Sequence, residues 1–297
     1  MSRAVIDIGS NSVLLLVGER RGDGSLQIVR DEATVARVSE GAAARGTLAP
    51  AAIERTLAVL RRYRELADRD DVSSLEAVAT EGLRMASNAR EFLEPAAAIL
   101  GSEVRLISGD EEARLSYRSV ALEGDPETGS ELRVIDIGGA STELVVGHGL
   151  EVEQAVSHRL GSVRLSEQLG DGHPPSEAAL ARMYELARET LASQPLAPHP
   201  ILHGLAGTVT TAAAVVLGLE RYDRERVDMT TLSRTSVAAL RSRLSTLTLA
   251  ELQAIPLIGP GRADVIVAGV TILLAALEHC GADTLIVRDR GLRYALL

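Results

Sequence analysis

Asp7 and Asp136 each close a run of apolar residues, and each is followed by isoleucine, glycine and small side chains. The stretches around them, VIDIGSNSVLLLVG from Val5 and VIDIGGASTELVVG from Val134, lie 129 positions apart and agree at nine of fourteen positions. A strand–turn–strand of this kind gathers consecutive backbone N–H groups in one tight turn. There they can converge on an anion, and small side chains let a phosphate come close. The aspartate points into the same space and can hold a divalent cation, directly or through water. One copy alone is compatible with an ordinary hairpin. Two matched copies imply duplicated domains facing each other across a cleft.

The copies differ most at one position, where Leu14 of the first becomes Glu143 of the second. Leucine suits a packed structural wall; Glu143 adds a carboxylate seven residues after Asp136. A third glycine-bearing element, HGLAGTVTTAAAVV from His203, reads as a strand end, a loop with Gly204 and Gly207, and a helix opening at Thr208. Free N–H groups and the helix dipole favour phosphate at such an end; a tight turn capped by Thr208 is the alternative. In SGDEEARL, Ser108 suits an N-cap and Glu111 the reciprocal place in a capping box. Glu112, one position on, has no such local task, and spacing alone leaves it between a surface charge and a functional acid.

The elements that must position these residues are strands and helices in mixture. Strands are expected at Ala4 to Ile8, Val13 to Gly18, Leu75 to Ala79, Val104 to Ile107, Val152 to Val156, Ile201 to Leu205 and Leu285 to Val287. Helical spacing runs over Pro50 to Leu66, Asn88 to Leu100 with Asn88 as N-cap, and Ser108 to about Val120. Further helices are expected near Ser162 to Leu169, Ser176 to Ser193, Thr208 to Leu217, Ser236 to Leu247 and Arg262 to His279, with a short terminal one. Arg262 and Asp264, at the start of that very apolar helix, suggest a structural ion pair or cap. The polar stretch LEGDPETGSE, Leu122 to Glu131, marks a boundary between domains at 1–123 and 124–297, and the last helix can pack back on the first domain. The fold class is α/β, in two similar halves.

Composition removes several chemistries. All 31 basic residues are Arg, so neither a Walker-type lysine nor a Schiff-base amine exists. A net charge of −10, one Phe, five Tyr and no Trp argue against nucleic acid as a partner. The single Cys280 excludes an internal disulfide and fits a reducing cytoplasm. The longest apolar run, Val265 to Glu278, is too short to span a bilayer, so no membrane association is expected. The six His residues show no metal-ligand spacing.

DIGSN, DIGGASTE and GLAGTVTT resemble the phosphate-binding segments of the actin, sugar-kinase and heat-shock-chaperone superfold. ATEGLRMASNAREFL, LISGDEEARLSY, HRLGSVRLSE, RADVIVAG and RDRGLRYALL narrow this to a resemblance to the exopolyphosphatase / guanosine pentaphosphate phosphohydrolase family, covering nearly the whole chain in order. It implies two actin-like (ribonuclease H-like) domains and hydrolysis of a terminal phosphoanhydride. Glu112 aligns with the family's catalytic acid, and Arg84 with its phosphate-binding arginine. The resemblance further implies phosphate contacts from Ser10, Asn11, Ser12, Gly138, Gly139, Ala140, Ser141, Gly207 and Thr208. Asp7, Asp136 and Glu143 would serve Mg²⁺, or Mn²⁺ in its place.

The family often pairs, which makes a homodimer one option, and the sequence leaves the oligomeric state open. Three departures stand out. Ala140 replaces a usual glycine, and Glu81 replaces a usual small residue near the proposed anion site. The C-terminal module of long members has no counterpart, which favours short polyphosphate or guanosine pentaphosphate as substrate. A kinase of the same superfold and a non-catalytic nucleotide or polyphosphate sensor are the alternatives.

Overall fold

The computed structural model describes residues 2–22, 24–123 and 131–297. Seven of the ten residues of the boundary expected at Leu122 to Glu131 therefore fall outside the described residues. The chain divides into two compact units: Met1–Glu123 with Leu292–Leu297, and Gly124–Gly291.

The first unit carries β1 (Arg3–Ile8), β2 (Ser12–Arg20), β3 (Leu26–Val35), α1 (Ala42–Arg45), α2 (Pro50–Arg69), β4 (Ser74–Ala79), α3 (Glu81–Arg84), α4 (Arg90–Leu100), β5 (Val104–Leu106) and α5 (Gly109–Ala121). The second carries β6 (Glu131–Ile137), β7 (Thr142–His148), β8 (Glu151–His158), α6 (Ser162–Leu169), α7 (Glu177–Leu191), β9 (Ile201–Leu205), α8 (Ala206–Val216), α9 (Arg224–Val227), β10 (Thr231–Ser233), α10 (Arg234–Leu244), α11 (Leu249–Ala254), α12 (Gly259–Arg262), α13 (Ile266–His279) and β11 (Thr284–Val287). The chain then adds α14 (Leu292–Leu296) to the first unit.

The two sheets repeat one plan. Their strand orders are β3-β2-β1-β4-β5 and β10-β11-β9-β6-β7-β8. In each, three antiparallel strands lead into parallel neighbours, β1∥β4∥β5 and β6∥β9∥β11. The duplication extends to an irregularity. A β-bulge interrupts β2/β3 between Val17 and Gly18, and another interrupts β7/β8 between Val146 and Gly147, again 129 positions on. A side chain at Gly18 would meet the Gln27 carbonyl oxygen at 2.6 Å, so the first bulge needs glycine there.

In the first unit the period-two alternation of the strands loads both faces of the sheet. Ile6, Ile8, Leu15 and Val17 join the core with α2 and α4 residues such as Leu57, Leu60 and Phe92. Val5 and Leu16 pack on Tyr294 and Leu297, and Val78 on Ile107, Leu115 and Leu292, so α5 and α14 cover the opposite face. Asp31 fastens α14: Arg293 Nη1 donates to it at 2.7 Å and the Tyr294 hydroxyl donates to its other oxygen. Asp31→Asn leaves a largely buried Arg293 without its counter-charge. The expected result is a loss of about 2 kcal/mol of stability, read by chemical denaturation; an unchanged midpoint would exclude the anchor.

Local rules misplace several details. Asn88 does not cap α4. Its Oδ1 accepts from Leu48 N at 2.8 Å and its amide nitrogen donates to Leu48 O, tying down the loop before α2. Ser108 caps α5 through Glu111 N at 3.1 Å, but the Glu111 carboxylate pairs with Arg105 instead of closing a capping box. Helix α8 starts two residues before Thr208, at Ala206, with no side-chain cap. The helix expected from Arg262 breaks into α12 and α13. The edge strands β3 and β10 escape the hydrophobic pattern. β3 alternates half-buried and exposed residues throughout, so polar side chains occupy many of its positions. Among the described residues, no helix is long and apolar enough to cross a membrane.

Candidate active site

Both repeated turns close with the same hydrogen bond, Gly9 N to Ser12 O at 3.0 Å and Gly138 N to Ser141 O at 3.0 Å. What lies behind each turn decides where its amides point. In a trans peptide the C=O and the following N–H are antiparallel, so anchoring a carbonyl aims the next amide the other way.

Behind the first turn, Ser10 O accepts from Ser39 N at 3.3 Å, and Asn11 O accepts from Ala36 N at 3.0 Å and Arg37 N at 2.9 Å. The N–H groups of Asn11 and Ser12 therefore face away from that loop. Behind the second turn stands the start of α6. Ser162 N donates to Gly138 O at 3.0 Å, and Val163 N and Arg164 N donate to Gly139 O at 2.9 and 3.0 Å. Arg164 Nε donates to Ala140 O at 3.0 Å. The amides of Gly139, Ala140 and Ser141 consequently fan out on the side opposite α6. Ala140 and Ser141 are themselves buried.

Register places the carboxylates. Asp7 lies opposite Leu14 in β1/β2, and Asp136 lies opposite Glu143 in β6/β7. Directly opposed residues share a face with Cβ atoms about 5 Å apart. The second hairpin therefore presents two adjacent carboxylates where the first presents one beside a half-buried leucine. Leu14 is thus less of a packed wall than its hydrophobicity suggests. Glu143 is only 1% exposed, and the Ser157 hydroxyl of β8 donates to its Oε1 at 2.7 Å.

Mg²⁺ is usually held through one or two carboxylates, with water and phosphate oxygens completing its shell. The Asp136–Glu143 pair fits that demand. Among the described residues, no three His, Cys, Asp or Glu side chains gather as a self-sufficient metal site.

In the first unit, alternation puts Asp7 on the face of Val5, the face that α5 and α14 cover. Glu112 sits in the first turn of α5, 8% exposed. Arg84 ends α3, just beyond β4. Its Nη1 donates to the Ile107 carbonyl immediately before the Ser108 cap, and its Nη2 pairs with the Glu81 carboxylate. Gly82, between them, admits Ser10: an added Cβ would lie 3.1 Å from Ser10 Cβ and closer still to the hydroxyls of Ser10 and Ser39. The ends of β1, β4 and β5 thus bring together Ser10, Arg84 and the helix of Glu112.

At α8 the left-handed φ of 69° at Ala206 turns the chain sharply out of β9, and Gly207 and Thr208 follow in the first helical turn. Arg262 lies over Gly207, where a Cβ would meet its Nη2 at 3.0 Å, and donates to Thr211 Oγ1 at 2.7 Å. It therefore reaches back to α8 instead of capping α13. Burial lowers its pKa, a shift that nearby Tyr222 and Asp289 oppose. Cys280 is no candidate nucleophile: burial pushes its thiol up to about 11.

Sequence reasoning missed Ser39, Ser157, Gly161 and Arg164, the residues that hold the turns and the carboxylate from behind. The segment HRLGSVRLSE stood out as a motif, but nothing in it says that Gly161 and Arg164 face Gly139 and Ala140, some two dozen residues earlier.

Two duplicated α/β units, each with an aspartate-ended strand running into an amide-lined turn, define an actin-like fold with the groundwork for phosphate chemistry. The chain belongs to the Ppx/GppA phosphatase family, whose model matches residues 17–297. It is 33% identical over 305 aligned positions to exopolyphosphatase 2 of Mycobacterium tuberculosis, covering 97% of this chain and 95% of that protein. The Aquifex aeolicus PPX-GPPA enzyme superposes with a TM-score of 0.84 at 34% identity, over 100% of this chain and 98% of that one. An exopolyphosphatase-like protein of known structure superposes with a TM-score of 0.93 at 28% identity, over 100% of this chain and 97% of that one.

Proposed function

We propose that this protein is a Mg²⁺-dependent phosphohydrolase that releases terminal orthophosphate from inorganic polyphosphate, preferring short chains, or from guanosine pentaphosphate. The observation that carries the reading is the second turn. Its carbonyls are anchored on α6, its amides fan outward, and Asp136 and Glu143 stand side by side at its base. The family membership and the likeness to an exopolyphosphatase supply the substrate class.

Cleavage of a terminal phosphoanhydride needs a positioned water, neutralisation of the transferring phosphoryl, and a carboxylate that takes the water's proton. Glu112 is assigned that last role. It orients the water, accepts its proton as the oxygen attacks phosphorus, and the bridging P–O bond breaks toward the shortened chain. The turn amides of Asn11, Ser12, Gly139, Ala140 and Ser141, with Ser10, Gly138, Gly207 and Thr208 around them and Arg84, are assigned to phosphate oxygens. Mg²⁺, or Mn²⁺ in its place, would be held by Asp136 and Glu143 with Asp7 contributing, and would supply charge neutralisation.

The test is phosphate release from short polyphosphate, long polyphosphate and guanosine pentaphosphate, with Mg²⁺ and with a chelator. Metal-dependent release, fastest from short polyphosphate or from guanosine pentaphosphate, is expected. Binding with no release would favour a sensor, and transfer to an added acceptor would favour a kinase; either overturns the proposal. Ser157→Ala removes the donor that orients Glu143. It should raise the Mg²⁺ concentration for half-maximal rate by about tenfold, and an unchanged requirement would detach Glu143 from the metal.

A further inference from the structure

The ion pair between Glu81 and Arg84 occupies the one arginine assigned to phosphate in the first unit. We propose that Glu81 is a built-in counter-ion that competes with phosphate for Arg84 and so weakens the hold on orthophosphate. The inference rests on the assignment of Arg84 to phosphate oxygens.

Three features of the geometry support it. The two residues are one helical turn apart on α3, with side-chain exposures of 7% for Glu81 and 28% for Arg84. The carboxylate is thus the inner member and the guanidinium the outer, accessible one. Arg84 also keeps a second anchor that does not depend on Glu81: its Nη1 donates to the Ile107 carbonyl. That carbonyl is fixed by the end of β5, where Ile107 N donates to Ala79 O at 3.1 Å, and by the capped start of α5. Neutralising Glu81 therefore leaves the guanidinium in place and restores its net charge. Finally, α3 has little freedom to rotate the pair elsewhere, because Gly82 is packed tightly against Ser10 and Ser39.

The Nη2 that pairs with Glu81 is also a donor that a bidentate phosphate would take, so an arriving phosphate must compete with the carboxylate for it. What the carboxylate takes is that donor, together with the net charge behind it. Paired, the two side chains present nearly zero net charge to an arriving anion; unpaired, Arg84 presents one positive charge. The loss is similar for orthophosphate and for a substrate phosphate at Arg84, but it is a larger share of the total hold on orthophosphate, because a polyanionic chain is gripped at several phosphates. Glu81 thereby eases the release of orthophosphate after cleavage. It touches no reacting atom and acts through Arg84, by setting how tightly that residue holds a phosphate.

Glu81→Gln keeps the shape and an acceptor for Arg84 while removing the charge. Titration calorimetry with orthophosphate should show binding tightened by about fivefold, the scale of a partly screened charge pair. Product inhibition by orthophosphate should strengthen to match, with a comparable fall in KM for polyphosphate and kcat changed by less than about twofold. Glu81→Ser serves as a second variant if the glutamine protein melts early.

The control is the same substitution in an Arg84→Ala background, where it should tighten orthophosphate binding much less, because only the carboxylate's own field is then removed. Unchanged or weakened orthophosphate binding by Glu81→Gln overturns the proposal, as does equal tightening with Arg84 absent. If Arg84→Ala alone alters neither orthophosphate affinity nor KM, the assignment of Arg84 itself fails, which separates the two.

Discussion

Glu112→Gln is expected to lower kcat for phosphate release by about a hundredfold to ten-thousandfold while changing KM by less than about threefold. The side chain is almost fully enclosed, in the first turn of a helix whose cap is made by Ser108 and Glu111 N and not by Glu112 itself. Glutamine preserves its volume and one acceptor oxygen, so the cap, the packing of Leu115 and the placement of Arg84 on Ile107 should persist. What disappears is the capacity to take a proton from water. A thermal midpoint within a degree or two of wild type would confirm that only the chemistry is lost. Equal release by the two proteins would remove Glu112 from the mechanism. A large rise in KM at constant kcat would make it a binding residue instead.

Gly161→Ala is expected to act from behind the second turn, with nearly as large an effect on turnover. An added Cβ would lie 2.5 Å from the carbonyl carbon of Ala140 and closer still to the Gly139 carbonyl. These are backbone atoms, so either α6 or the turn must move. Movement breaks some of the bonds from Ser162, Val163 and Arg164 that aim the amides of Gly139 to Ser141. The expected outcome is KM raised about tenfold, kcat lowered by about a hundredfold, and stability reduced by about 3 kcal/mol. Kinetics at saturating Mg²⁺, beside a denaturation curve, would measure all three. Unchanged KM in a destabilised protein would mean that α6 supports the fold without aiming the turn.

The outcome for Gly161 also shows where local reading stops. The duplicated hairpins, the matched aspartates, the Leu14 to Glu143 change and the Ser108 cap were legible because each depends on near neighbours or on a repeat visible in the chain. Most strands and helices followed from apolar period and turn residues for the same reason. Asn88 and Glu111 went astray because a better partner, Leu48 or Arg105, arrives from another element. β3 was missed because one face of an edge strand is exposed and carries little hydrophobic signal.

By itself, then, the sequence determined that two aspartate-ended hairpins recur, which of them bears the second carboxylate, and that Glu111 and Glu112 sit in the first turn of α5. Tertiary structure alone decided what stands behind those residues: α6 behind the second turn, Ser157 on Glu143, Glu81 on Arg84 and Arg262 over Gly207. The physical reason is directional. Residue type sets what a group can donate or accept, but the direction of an amide, a carboxylate or a guanidinium depends on its anchoring partner. Here, except for Glu81 three residues from Arg84, those partners come from distant parts of the chain.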